Sequence, residues 1–116
     1  MAKPAFITLE PVVTGDTWDG LTNCRFYSTG SAFGSTLSKV RLDFKSSAGV
    51  VGQQLTTVGS GGITIDNATS WTFTVDPVVI TMAAGMWSLD FETTDSAGII
   101  KTRVAGIIEI ISTSTD

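Results

Sequence analysis

Two carboxylates on one predicted strand face are the residues in this sequence that most resemble parts of a catalytic site. Asp90 and Glu92 are two positions apart, so on a β-strand they share a face. Paired carboxylates are what glycoside hydrolysis requires. The two residues alternate with Trp87, Leu89 and Phe91, however, as a solvated strand face alternates with a buried one. The sequence also contains no histidine, the most common general base. We therefore predict that the chain is not an enzyme.

A second pair of carboxylates, Asp16 and Asp19, flanks Trp18 at the start of a predicted strand. Calcium requires six or more oxygen ligands, and no loop in the sequence carries acidic residues at such spacing. Asp16 follows Gly15 and is typical of a residue that closes a turn. We predict no metal and no cofactor, and we include Asp16 and Asp19 among the candidate interaction residues at the end loops of the domain.

Two other features have ordinary structural interpretations. Residues 59–62 (Gly-Ser-Gly-Gly) lack the lysine and the following helix of a phosphate-binding loop, so they predict a turn. Cys24 is the only cysteine, which excludes a disulfide within the chain. It shares strand parity with Trp18 and Phe26, which favours a small buried side chain over a reactive thiol.

The elements that would position all these residues are β-strands. Alternating or apolar segments bounded by turn residues occur at 6–13, 17–27, 36–45, 50–58, 63–65, 71–75, 78–82, 86–93 and 99–111. The segment 28–35 predicts a loop or a change of sheet, and Gly20 is a candidate bulge. About eight short strands, spaced by roughly 8–12 residues and without a helical period, indicate an all-β fold, either an antiparallel β-sandwich or a small barrel. Of the two we favour the sandwich.

The three tryptophans lie on the core parity of their strands. We predict that Trp18, Trp71 and Trp87 pack in one core between two sheets. Their predicted neighbours there are Leu42, Phe44, Leu89 and Phe91. If the rings were exposed instead, they could stack on sugars, as they do in a carbohydrate-binding module.

Composition narrows the possible partners. The chain has 116 residues, which suits one domain over 1–116 with a frayed polar tail at 112–116. A net charge of −4 with only seven Lys and Arg argues against nucleic acid. No apolar run approaches the roughly 20 residues of a membrane span, and no signal segment is recognisable, so we expect synthesis in a cytoplasm. Charged residues make up only 16% of the chain, as expected where much of the outer surface contacts protein.

The last predicted strand carries a nearly continuous apolar run formed by Ile107, Ile108, Ile110 and Ile111. A core can cover only one face of a strand, so the other face or the edge of this strand needs a further cover. We predict that these four isoleucines contact a partner, either another copy or a neighbouring protein, in a symmetric assembly of several copies.

Several segments of the sequence resemble, in their order, a known group of proteins. The segments are 15–20 (GDTWDG), 40–45 (VRLDFK), 62–65 (GITI), 84–92 (AGMWSLDFE) and 98–110 (GIIKTRVAGIIEI). Together they are similar to small tailed-phage virion proteins with an immunoglobulin-like β-sandwich, including the N-terminal domain of the baseplate upper protein family. The resemblance implies an immunoglobulin-like fold and a docking domain that links fibre or receptor-binding parts to a tail or baseplate. It supplies no catalytic residues.

Three classes of function remain open on the sequence. The first, which we favour, is a structural virion component of the tail, baseplate or tail-fibre apparatus, made in the host cytoplasm and bound to other phage virion proteins. A capsid decoration protein is the alternative within that class. The second is a receptor-binding or carbohydrate-binding module, and the third is a small hydrolase.

Overall fold

The computed structural model describes residues 5–26, 34–59 and 61–112, which form eleven β-strands and no helix. The strands are β1 (Ala5–Thr8), β2 (Val12–Val13), β3 (Thr17–Trp18), β4 (Leu21–Arg25), β5 (Leu37–Lys45), β6 (Val51–Thr56), β7 (Ile63–Asn67), β8 (Thr72–Val75), β9 (Val78–Val79), β10 (Gly85–Asp95) and β11 (Ile100–Ile111). The all-β prediction is confirmed. The predicted loop at 28–35 and the predicted tail at 112–116 fall mainly outside the described residues.

The strand with the clearest alternation in the sequence, β5, lies in the interior of the larger sheet. In β5, Val40, Leu42 and Phe44 are fully buried, whereas Lys39 is exposed and Arg41 is half-exposed. A two-residue period puts apolar and charged side chains on opposite faces of a strand. β5 therefore lies inside its sheet with one face on the core, paired with β10 and β6.

The larger sheet has six strands in the order β1-β11-β10-β5-β6, and β2 also pairs with β11. The pairs among β11, β10, β5 and β6 are antiparallel, but β1 and β2 run parallel to β11. The single N-terminal strand predicted over 6–13 is therefore two strands, β1 and β2. Pro11 lies in the gap, where it removes a backbone donor that a continuous ladder would need.

The second layer consists of a three-stranded sheet, β4-β8-β7, and the short pair β3-β9. The single strand predicted over 17–27 breaks at Asp19 and Gly20, so its two parts pair with different strands. Gly20 has a positive φ of 76°, and a side chain there would collide with the carbonyl oxygen of Val75. The backbone can turn between the two sheets at this position because glycine lacks a Cβ atom.

One apolar core lies between the two layers. Its aromatic contacts include Phe26 stacked on Phe73, with ring centroids 4.6 Å apart, and Trp18 edge-on to Phe44 at 5.9 Å. All the predicted core residues other than Trp87 are buried, namely Trp18, Leu42, Phe44, Trp71, Leu89 and Phe91. The sandwich prediction is therefore confirmed by its core as well as by its strands.

The prediction that Trp87 is buried in the core is wrong, because the residue is only half-buried. The residue lies near the start of β10, and its indole Nε1 donates a hydrogen bond to the carbonyl of Ala83 at 2.9 Å. Its ring packs on Gly52 at the edge of the core. Strand parity alone does not distinguish a position at the margin of the core from one at its centre.

Candidate functional site

The four isoleucines of the predicted interaction site do not lie together. Ile108 and Ile110 are 0% and 1% exposed and belong to the core, whereas Ile107 is half-buried and Ile111 is 41% exposed. Alternate residues of β11 face opposite sides of the sheet, which separates the run into two pairs. The prediction that Ile108 and Ile110 contact a partner is wrong, because the core of the chain itself covers them.

Around the four isoleucines, from Val104 to Ile111, both edges of β11 are also covered by the chain itself. Hydrogen-bonded strands lie on both sides of it, with β10 on one side and β1 and β2 on the other. The strands β1 and β2 therefore occupy the edge of β11 that was predicted to contact a partner. This pairing joins residues about one hundred positions apart, such as Ile7 with Gly106, and no local pattern could reveal it.

The outer face of β11 nevertheless belongs to an apolar surface formed by four strands. The strand registers place Phe6 beside Ala105, Val13 beside Ile111, and Met86 opposite Glu109, all on the face that Ile107 shares. We call this surface the outer patch, and it consists of Phe6, Val13, Met86, Ala105, Ile107 and Ile111. Its most exposed members are Phe6 at 66% and Met86 at 55%.

One charged residue lies within the outer patch. Glu109 stands between Ile107 and Ile111 on β11, opposite Met86 of β10, and its side chain is exposed. The patch therefore combines apolar side chains with one negative charge. Such a surface fits another protein that offers apolar side chains and a lysine or arginine.

Asp90 and Glu92, the carboxylates that resemble a catalytic pair, lie on the same face, next to the outer patch. Each forms an ion pair with a basic side chain. Lys45 Nζ lies 3.4 Å from Asp90 Oδ2, and Arg41 Nη2 lies 3.0 Å from Glu92 Oε1. Arg41 also lies 3.2 Å, through Nε, from Asp43 Oδ2. The pairs Lys45–Asp90 and Arg41–Glu92 connect β5 and β10 across the surface, whereas Arg41–Asp43 lies within β5. The predicted solvent-facing placement of Asp90 and Glu92 agrees with their partial exposure.

Asp43 is nearly buried, although it points to the outer face of the sheet. It is 3% exposed, and Gln54 Nε2 donates to its Oδ1 at 2.7 Å. Arg41 supplies the neighbouring positive charge. A buried carboxylate requires such partners, and the bond from Gln54 connects Asp43 on β5 with β6.

Asp16 and Asp19 lie on an open groove that adjoins the outer patch. The groove has a volume of about 430 Å³, and its walls include Glu10, Trp18 and Val13, the last of which also belongs to the patch. Both aspartates are exposed. The backbone of Asp16 holds a turn, since its N–H donates to Val13 and its carbonyl accepts from Ile80. Within the described residues, no three acidic or cysteine side chains are close enough to bind a metal ion.

Cys24 is half-buried on β4. Burial raises the pKa of its thiol, and the nearby charge of Asp66 raises that pKa further. A thiol with a raised pKa is a weak nucleophile at neutral pH because little thiolate is present. The half-buried placement comes close to the small buried residue that the sequence predicts.

Sequence reasoning missed the role of Asp95, which anchors the turn between β10 and β11. Its carboxylate accepts hydrogen bonds from the N–H groups of Ala97 and Ile99 at 3.0 and 2.9 Å, and from Ser35 Oγ at 2.8 Å. The backbone bond from Ile99, followed by the bond from Ser35, lowers the pKa of Asp95. The Asp-Ser-Ala-Gly sequence at 95–98 indicates the turn. Nothing in the sequence indicates the contact between Asp95 and the distant Ser35.

Comparisons with known proteins add little to this picture. No protein-family model matches the chain, and no curated protein matches it. Among solved structures, it is similar to CopC from Methylosinus trichosporium OB3b, with 15% identity and a TM-score of 0.44 over 73% of this chain and 76% of that one. It is also similar to a 2,6-sialyltransferase of Photobacterium sp. JT-ISH-224, with 10% identity and a TM-score of 0.38. That likeness covers 97% of this chain but 19% of the sialyltransferase.

Neither structural likeness is strong enough to assign a function. Within the described ranges, no helix is long and apolar enough to cross a membrane. The feature of the chain that bears most on its function is therefore its surface, above all the outer patch.

Proposed function

We propose that this chain is a structural docking domain of a tailed-phage virion, in the tail, baseplate or fibre apparatus, and that it binds neighbouring virion proteins through the outer patch. The observation that carries the proposal is the outer patch itself, with Phe6 and Met86 more than half exposed on a sheet face that the described residues leave uncovered. Exposed apolar side chains grouped together are typical of protein interaction surfaces. The order of sequence segments described above supports the phage assignment.

The patch favours docking over sugar binding. A carbohydrate-binding surface requires exposed aromatic rings, and the tryptophans do not supply them, since Trp18 and Trp71 are buried and Trp87 is half-buried. Phe6 is the single aromatic ring in the outer patch. Hydrolysis would require two carboxylates that are free to exchange protons with a substrate. Asp90 and Glu92 are instead ion-paired with Lys45 and Arg41. The domain acts as a binding element without catalysis, and several copies assemble with symmetry in the virion.

Coexpression with the products of adjacent genes tests the proposal. We expect the purified chain to form a complex of defined mass with at least one of them, measured by light scattering after size exclusion. Met86→Ser and Ile111→Ser should weaken that complex because each replaces an apolar side chain of the outer patch. Val50→Ser is the matched control, since Val50 is 64% exposed but lies outside the patch.

Two outcomes would count against this function. A chain that remains monomeric with every adjacent gene product would contradict docking. Equal weakening by Val50→Ser and Met86→Ser would show that the outer patch is not the contact surface. The position within the virion follows from the identity of the bound protein, because a head protein would favour the capsid decoration alternative over the tail.

A further inference from the structure

The outer strands of the two larger sheets differ in how well they are protected against pairing with a strand of another chain, which we call strand addition. An outer strand presents unpaired N–H and C=O groups, and proteins commonly interrupt such strands with bulges or charges. The strands β4, β6 and β7 each carry a register shift against their neighbour. The pairing of β1 with β11 has no such shift over its four residues.

Other features add to the protection of β6 and β7. The N–H of Thr56, at the end of β6, donates to the carbonyl of Gly61 at 2.9 Å, so residues 61 and 62 lie against that end of the strand. On β7, the exposed Asp66 lies at the bulge. The sequence of β1, in contrast, is Ala-Phe-Ile-Thr and contains no charge.

The open edge of β1 can be assigned to particular backbone groups. The N–H of Leu9 donates to the carbonyl of Ile107, so Leu9 directs its backbone groups towards β11. Successive residues of a strand direct these groups to alternate sides. Ile7 therefore also bonds β11, whereas the N–H and C=O groups of Phe6 and Thr8 point to the open side. The described residues place no strand on that side.

We propose that β1 receives an extended segment of the partner protein as an additional strand, bonded to the N–H and C=O groups of Phe6 and Thr8. This inference rests on the proposed docking function and specifies how the docking occurs. The side chain of Phe6 belongs to the outer patch, so one partner can pair with the edge and cover the patch at the same time. Backbone pairing provides affinity in such strand additions, and side-chain pockets provide specificity.

A second copy of this chain is a poorer occupant than another protein. Four residues of strand extend only about 13 Å, so pairing two β1 strands alone would bury much less than the roughly 1,200 Å² of a stable interface. Pairing between two copies that included the patch would also bring two Glu109 side chains into one interface. A partner that contributes apolar side chains and a cation opposite Glu109 avoids this repulsion.

Thr8→Pro is the decisive variant. Proline removes the N–H of Thr8, which we assign to the partner, and no hydrogen bond among the described residues is lost because that group faces the open edge. Thr8→Val is the matched control, since it retains the N–H and strand propensity. With the adjacent gene product that forms a complex, we expect Thr8→Pro to weaken binding about tenfold or more and Thr8→Val to have little effect.

Amide hydrogen exchange provides a second measurement that needs no variant. In the free chain, the amide of Leu9 should exchange slowly and those of Phe6 and Thr8 fast. In the complex, Phe6 and Thr8 should become slow as well. A blocked seven-residue peptide of alternating Thr and Val, added in large excess to the free chain, should shift the amide resonances of the same two residues.

The outcomes separate this inference from the proposed function. If a gene product binds but Thr8→Pro binds equally well and both amides stay fast, strand addition is wrong while docking stands. If no gene product binds but the peptide shifts both amide resonances, docking is wrong, while the inference that β1 can accept an additional strand is supported. Self-association of the wild-type chain that Thr8→Pro abolishes would identify a second copy as the occupant and overturn our choice.

Discussion

Gly52 of β6 lies directly against the indole ring of Trp87 on β10. A Cβ atom on Gly52 would overlap the Cζ3 atom of that ring and lie 3.2 Å from Cγ of Met82. The half-buried Trp87 thus occupies space that is available only because residue 52 lacks a side chain. Gly52 also falls at the register shift between β5 and β6, where the pairing passes from Gln53 to Val51.

Gly52→Ala should destabilise the chain by about 1–3 kcal/mol, because the added methyl group must displace a rigid ring. Urea unfolding followed by tryptophan fluorescence measures the change. Gly34→Ala is the control, since nothing lies within 4 Å of a Cβ at that position. Equal losses in the two variants would contradict the contact with Trp87. A smaller loss when Gly52→Ala is combined with Trp87→Leu would support it.

Trp71 should matter more to stability than Trp87. Trp71 is fully buried, its Nε1 donates to the carbonyl of Ser35 at 2.9 Å, and Arg103 lies over its ring at 5.2 Å. We expect Trp71→Ala to lower the free energy of unfolding by about 3–5 kcal/mol, as for other large core truncations. Trp87→Ala should cost less because the half-buried ring leaves a smaller cavity. The reverse order in equilibrium unfolding would contradict the core described above.

Gly106→Ala should detach β1 from β11. A Cβ atom at Gly106 would collide with the backbone oxygen of Ile7, so the parallel pairing must open or shift. We expect the amides of Ile7 and Leu9 to exchange faster while those of β5 remain protected. Docking should weaken as well, because the open edge of β1 and the side chain of Phe6 would no longer be held in position. Unchanged exchange at Leu9 would refute this pairing.

Asp95 should contribute stability that depends on pH. Its hydrogen bonds lower its pKa in the folded chain, so the folded state favours the ionised form. The contribution is therefore complete above the unfolded value of about 3.9 and is lost as the pH falls through the lower folded value. We expect Asp95→Asn to destabilise the chain at pH 7 and to have a smaller effect near pH 2. An equal loss at both values would contradict this role.

The alternation of residues along each strand predicted much of the fold. In β5 and β10, the burial of Leu42, Phe44, Leu89 and Phe91 follows the parity of the sequence. The same rule, applied to β11, already separates Ile108 from Ile107. The prediction that all four isoleucines form one surface ignores this separation, and it is therefore wrong for Ile108 and Ile110.

The candidate site was only partly predictable. Ile107 and Ile111 lie on the face away from the core, as two of the four isoleucines predicted to contact a partner, but their neighbours Phe6 and Met86 come from other strands. Those neighbours follow from strand registers that join distant parts of the chain. The role of Asp95 as a turn anchor similarly depends on Ser35, sixty residues away.

The local pattern of side chains was enough to establish an all-β chain, the inward residues of its central strands and the turns between them, because the side-chain period of a strand is a property of neighbouring residues. Strand order was decided only in three dimensions. Nothing in Ala5–Thr8 indicates that it runs parallel to β11 and closes that edge. Ladder hydrogen bonds are the same for every sequence, so the choice of neighbour depends on how all the apolar faces are buried together. That choice covered β11 and left β1 as the open edge.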